Sequence, residues 1–282
     1  MRIDPSFDVV ANRYLESLTH LRSANRHDLP VCRICMGPTR TKNGSSEHWE
    51  ICWPCQQHQS ISGISPGELA DTIGFIIYAL ENEDGSVDQS LRDMYQYKQI
   101  PPGQSSHQGI SEPGQRIRTL LYTTLRDNLP VLAQTISPVE VITHVPSTSS
   151  TPGRDREALA NALDSALGHI SDIAPHQRLL TPSDAKSSPP RTINPARFSV
   201  TNPAAVAGQH VLLVEDTWVT GASAQSAAIS LHRAGAHQVT VVCIARMLKG
   251  GWKDGAYLTS KYATLPPPRQ ENALFQSPGE KG

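Results

Sequence analysis

The stretch HVLLVEDTWVTGAS, His210 to Ser223, joins an apolar run to two adjacent carboxylates and then to a turn of small and hydroxyl residues that opens a helix. Four consecutive apolar residues, Val211 to Val214, read as a strand buried on both faces, as in a parallel sheet. Helix-spaced AQSAAISLHRAG follows, with Gly235 placed to end it, and QVTVVCIARML returns to strand character with Cys243 in its core. In an open parallel sheet, ligands bind beyond the carboxyl ends of the strands, which is where Glu215 and Asp216 fall. Side chains alternate faces along a strand, so neighbouring carboxylates are poorly placed to share one salt bridge. Two acceptors there suit a vicinal diol. The turn offers the hydroxyls of Thr217, Thr220 and Ser223 and, past Gly221, the open N–H groups of a helix start, a nest for phosphate. A diol and a phosphate one sugar apart describe a ribose 5-phosphate. The plainer reading is that both carboxylates merely close a strand, Asp216 capping the next helix.

The same alternation extends outward. VEVITHVPS reads as a buried strand entering a turn, and Asp155 as the N-cap of REALANALDSALGHI, whose Leu159, Leu163, Ala166, Leu167 and Ile170 form one face. Farther upstream, ELADTIGFIIYAL ends in a strand-like run and SVDQSLRDMYQYKQI has helical spacing. Ile117, Leu120, Leu121, Thr124 and Leu125 predict a helix that ends before Pro130. Residues 174–208 are rich in Pro, Ser and Asn, with QRLL and ARFSV as short strands, a composition suited to a mobile loop over a site. Phe7, Val10, Tyr14, Leu18 and Leu21 predict a helix over 7–24. The fold class is therefore α/β, a mostly parallel sheet covered by helices on both faces.

Four of the five cysteines form two C-x-x-C pairs, Cys32 with Cys35 and Cys52 with Cys55, separated by residues 36–51. That spacing fits a structural Zn2+ site with four thiolates and no activated water; a catalytic dithiol is the competing reading. His48 and His58 read as surface residues. Trp49 and Trp53 are expected to pack on the knuckles or the larger domain, an exposed one offering a face to a base of single-stranded DNA. The chain holds 25 basic and 26 acidic residues without long charge blocks, which excludes a general nucleic-acid binder. Its apolar runs are too short for membrane insertion and its N-terminus lacks a signal-peptide pattern, so a cytoplasmic, reducing location is expected. The expected division is an N-terminal helix with a cysteine module over 1–64, a main domain over 65–252 and a disordered tail over 253–282.

VLLVEDTWVTGAS resembles the phosphoribosylpyrophosphate (PRPP) signature of type I phosphoribosyltransferases. With the cysteine pairs, YQYK at 95–98, VITHVPS and ARFSV, the chain resembles the ComF-like (competence protein F) family over roughly residues 32–247. The resemblance implies that Glu215 and Asp216 are the catalytic pair holding the ribose hydroxyls. Val219, Thr220, Gly221, Ala222 and Ser223, with Thr217 beside them, would bind the 5-phosphate. The loop from His144 through Val145, Pro146 and Ser147 would face pyrophosphate. Arg154 and Arg156 would neutralise that leaving group, unless they are solvated loop arginines. Lys98 and His144 are weaker candidates, and Mg2+ would bridge pyrophosphate and ribose oxygens. Phosphoribosyl transfer to an unnamed acceptor is the implied activity. The alternative is a non-catalytic sensor of PRPP or nucleotide, or an accessory to single-stranded DNA uptake beside a competence-machinery protein. A homodimer is expected by analogy alone. Two departures stand out: Val219 replaces an Asp found in some purine-specific relatives, and residues 175–198 lack the family's Gln and Arg pattern.

Overall fold

The computed structural model describes residues 1–25, 28–100, 110–148, 151–183, 191–252, 255–268 and 274–275. The chain begins with β1 (Arg2–Ile3), α1 (Pro5–Ser17) and β2 (Arg22–Ser23), and the cysteine module carries α2 (Trp53–Gln59). There follow β3 (Thr72–Glu81), α3 (Gln89–Gln96), α4 (Glu112–Thr135), β4 (Val141–His144), α5 (Ala158–Leu167), β5 (Ile170–Ser171), β6 (Leu180–Pro182) and β7 (Phe198–Val200). β8 (His210–Trp218), α6 (Ala222–Arg233), β9 (Gln238–Lys249) and α7 (Ala256–Lys261) complete the order.

The central sheet has five strands in the order β2-β3-β9-β8-β4. Its four longer strands run parallel, and β2 adds antiparallel to the β3 edge. After β3 the chain crosses to the far edge at β4 and returns through β8 to β9. Right-handed crossovers in opposite directions place their helices on opposite faces. On one face Ile142, Leu212, Val214, Val242 and Ile244 pack with residues of α1, α3, α4 and α5. On the other, Val141, Val211, Leu213, Val241 and Cys243 meet Ala224, Ala227, Ala228 and Leu231 of α6 and the four module cysteines. Burial on both faces is why these strands read as unbroken apolar runs.

Several boundaries differ from the sequence expectation. α1 stops at Ser17, and residues 22–23 pair with β3 instead of continuing the helix. α1 also belongs to the main core: Ala11 and Leu18 share a cluster with Leu120 and Leu121, and Tyr122 donates to Asp8 at 3.0 Å. α4 runs through Pro130, which removes a single ladder donor, because buried Leu125, Leu129 and Leu132 carry its apolar stripe past that point. α5 starts at Ala158 with Glu157 as N-cap; the Asp155 carboxylate instead accepts from the Glu157 N–H at 2.9 Å. Of the two short strands expected there, β7 lies within ARFSV, whereas β6 shares only Leu180 with QRLL and continues through Thr181 and Pro182; the two pair antiparallel, and 184–190 of that loop lie outside the described residues. The expected disordered tail contains α7, and Leu258, Tyr262 and Leu265 are buried on the face that carries the cysteines. Phe275 is buried as well, against Gly74, where a Cβ would come within 2.9 Å of its ring. Among the described residues no helix is long and apolar enough to cross a membrane.

Candidate functional site

β8 delivers Glu215 and Asp216 to the end of the sheet, where both are buried, 7% and 9% exposed. The two residues after α3 supply the partners. Tyr97 Oη donates to Asp216 Oδ2 at 3.0 Å, and Lys98 Nζ is ion-paired with the same oxygen. Glu215 Oε1 accepts from the Asp216 N–H at 3.1 Å. Burial raises the Glu215 pKa from 4.5 to about 7, opposed by the charges of Lys98 and Arg197 and by a bond from the Thr217 N–H. Burial lowers Lys98 to about 8, with Glu215 opposing the shift and Arg154 reinforcing it. Burial, then the Glu215 charge, pushes the Tyr97 hydroxyl well above its ordinary value, so it stays a donor. The result is two acceptors, one cation and one hydroxyl confined together, a polar cluster suited to a sugar's hydroxyls.

Beyond Trp218 the chain turns sharply into α6. Gly221 is the N-cap with φ +86°, a left-handed conformation, and a Cβ there would overlap the Trp218 indole. The glycine is therefore required twice over. The turn and its neighbours enclose about 120 Å³, lined by Glu215, Thr217, Arg191 and the turn residues Val219 to Ala224. Pockets for whole ligands run to about 300–1,000 Å³, so this one has room for a group the size of a phosphate. The first N–H groups of α6 have no intrahelical acceptors and carry the positive end of the helix dipole. Arg197, just before β7, donates to Ser223 Oγ at 3.2 Å and to the Thr192 carbonyl at 2.7 Å, and no carboxylate among the described residues is ion-paired with it. Thr220 Oγ1 donates to the Arg191 carbonyl at 3.2 Å. Two arginines thus border the turn that sequence reasoning offered as a phosphate nest.

The Val145 N–H donates to the Val214 carbonyl at 2.9 Å, so pairing with β8 continues one residue past β4 and sets Val145 beside Glu215, with Pro146 and Ser147 next in the chain. Arg154 lies opposite Gln99 in a short antiparallel bridge, and the Asp155 N–H donates to the Lys98 carbonyl at 2.7 Å. Arg154 is half-buried next to Lys98, and Arg156 is exposed two residues further on. His144 is committed elsewhere: its Nδ1 is 3.1 Å from His176 Nε2, and His176 Nδ1 is 2.5 Å from Asp164. Burial, then His176, lowers His144 to about 4, so it is neutral near pH 7 and offers pyrophosphate no charge.

The four module cysteines are buried, with Sγ atoms all within 4.8 Å of one another and Cys35 and Cys52 at 3.5 Å. Tetrahedral zinc–thiolate geometry needs sulfurs about 3.8 Å apart. The donors fit a structural Zn2+. Hydrogen bonds within the cluster, to Cys32 first, hold Cys55 far above and Cys35 well below the ordinary thiol value. His58 is buried rather than on the surface, and His48 Nδ1 lies 3.3 Å from Thr39 Oγ1; neither belongs to the sulfur cluster. Trp49 and Trp53, expected to pack, are 50% and 59% exposed.

Sequence reasoning singled out Lys98 only weakly and gave Tyr97, Arg191, Arg197 and Arg246 no role. Tyr97 and Arg197 lay inside YQYK and ARFSV, and Arg246 was visible as a lone charge in an apolar strand.

No family model and no curated protein matches the chain. It is similar to the solved structure described as "Structure of the allosteric regulatory enzyme of purine biosynthesis", with 23% identity and a TM-score of 0.27 over 43% of this chain. The match spans 25% of that enzyme's length, and a TM-score this low falls short of a shared fold.

Proposed function

We propose that the chain is a phosphoribosyltransferase-like protein that binds PRPP and transfers its phosphoribosyl group with release of pyrophosphate. The observation that carries this reading is the buried Glu215–Asp216 pair, opposed by Tyr97 and Lys98 and followed directly by a left-handed glycine turn into α6. The carboxylates accept hydrogen bonds from the ribose 2- and 3-hydroxyls. The N–H groups of Ala222 to Ala224, with Arg197, hold the 5-phosphate. Placing the diol on Asp216 requires Lys98 to leave it, and the freed ammonium then meets the pyrophosphate beside Val145 to Ser147, joined by Arg154. Mg2+ would supply neutralisation of pyrophosphate charge here, and Glu215 and Asp216 are the carboxylates that would hold it, directly or through water, beside the ribose hydroxyls. The acceptor's nucleophilic atom attacks C1 of the ribose as the C1–oxygen bond breaks and pyrophosphate departs with the bonding pair. Charge neutralisation along that stretching bond is the protein's main contribution.

Calorimetric titration of PRPP with Mg2+ tests this. Wild type is expected to bind in the micromolar range, and a folded Glu215→Gln, Asp216→Asn double variant is expected not to bind. Equal binding by both would remove the carboxylates from the site, and no binding by wild type would reject the reading.

The exposed Trp49 and Trp53 favour a second reading, a ComF-type accessory that contacts single-stranded DNA without turnover. Salt-sensitive quenching of their fluorescence by an oligonucleotide, absent in a Trp49→Ala, Trp53→Ala variant, would support it.

A further inference from the structure

Arg246 lies in the middle of the protein, 3% exposed, on β9 between Tyr78 of β3 and Trp218 of β8. A guanidinium there must satisfy five donors without water, and its bonds fall into two groups. Toward the cysteine module, Nε donates to the Cys35 carbonyl at 2.7 Å and Nη2 to Cys35 Sγ at 3.6 Å. Toward the turn that leads into α6, Nη1 donates to the carbonyls of Trp218 at 3.2 Å and Val219 at 3.3 Å, besides Met247 at 2.6 Å. Both sides are built around it. A Cβ at Gly37, in the first knuckle, would overlap the guanidinium. Tyr78 Oη donates to the Met36 carbonyl at 2.6 Å, fixing the same knuckle on the sheet. A divalent ion offsets only half the charge of four thiolates, so the metal-bound cluster remains an anion against which this buried cation is stable.

We propose that Arg246 is a positioning residue through which the metal-bound cysteine knuckle sets the phosphate turn. The ion fixes Cys35, Cys35 fixes the guanidinium, and the guanidinium holds the Trp218 and Val219 carbonyls. That orientation aims the N–H groups that follow, around Gly221, at the 5-phosphate. The module thereby becomes part of the binding site without touching ligand. The inference rests on the reading of residues 219–223 as a phosphate turn.

Hydrogen exchange by mass spectrometry tests it on the full chain. The comparison is wild type, metal-stripped wild type and Arg246→Met, with bound zinc measured on each and PRPP as the titrated ligand. Expected is faster exchange at 219–223 in both altered proteins, with β8 and β9 still protected, one zinc retained in Arg246→Met, and PRPP affinity about tenfold weaker. Arg246→Lys keeps the charge but cannot fork between the two groups of carbonyls, and is expected to resemble Arg246→Met. Unchanged exchange at 219–223 in zinc-loaded Arg246→Met would overturn the link. Should that variant not fold, metal-stripped wild type, where Arg246 is intact, decides the matter in the same way: unchanged exchange at 219–223 there overturns the link. If exchange responds but wild type binds no PRPP, the link stands and the phosphoribosyl reading fails. If wild type binds PRPP and exchange does not respond, the reading stands and the link fails.

Discussion

Glu215→Gln should stabilise the free protein, and only above the acid range. Burial raises the Glu215 pKa from 4.5 to about 7, so the folded state holds this proton more tightly than the unfolded chain. Well below pH 4.5 both states carry the proton and nothing is lost. As pH climbs from 4.5 toward about 7 the unfolded chain ionises first, and stability falls. Above about 7 both states are ionised and the folded state bears the full cost of a buried carboxylate, about 3 kcal/mol for a rise of that size. Lys98 runs the opposite way: its pKa is lowered from 10.5 to about 8, so the stability it withholds returns only as pH climbs from about 8 through 10.5. The two windows are separate, so the acid side reads Glu215. Thermal unfolding of wild type and variant supplies the assay. Near pH 4.5 the two should unfold within about 2 °C of each other, whereas by about pH 7.5 the variant should gain about 6–12 °C, since about 1 kcal/mol moves a large domain by about 2–4 °C. An offset that is the same at both pH values, or a variant that loses stability at the higher one, would refute the assignment of a costly buried carboxylate to Glu215.

Gly221→Ala should cost about 2–5 kcal/mol, combining about 1–2 for a left-handed non-glycine residue with about 1–3 for overlap with Trp218. Denaturant unfolding measures it, and a loss below about 1 kcal/mol would mean the turn relaxes freely. Arg197→Ala should weaken both PRPP and inorganic phosphate by about 10- to 100-fold, the range of one hydrogen bond to a charged group, with the thermal midpoint nearly unchanged. Equal affinities for variant and wild type, read by calorimetry, would take Arg197 out of the phosphate site.

Local pattern alone determined much of this protein. Unbroken apolar runs specified β3, β4, β8 and β9 because strands of a parallel sheet are buried on both faces, and the paired cysteines specified the sulfur cluster because a C-x-x-C turn brings its two sulfurs to one side. Helix ends and the tail were less legible. Pro130 looked like a stop from its own residue type, yet the buried stripe of α4 outweighed one missing donor, and α7 found its partners on a sheet face built from distant segments. The chemistry of the site depended on tertiary structure throughout. Asp216 meets Tyr97 from 119 residues away, and Arg246 meets Cys35 across 211. His144, at the end of a correctly read strand, has its pKa lowered to about 4 by burial and then by His176, a shift that depends on residues packed against it by the fold. Sequence periodicity reports which face of an element leaves water, since that depends on near neighbours and a fixed geometric repeat. Charge state and hydrogen-bond partner depend on what the other elements bring to that face, and only the packed chain decides that.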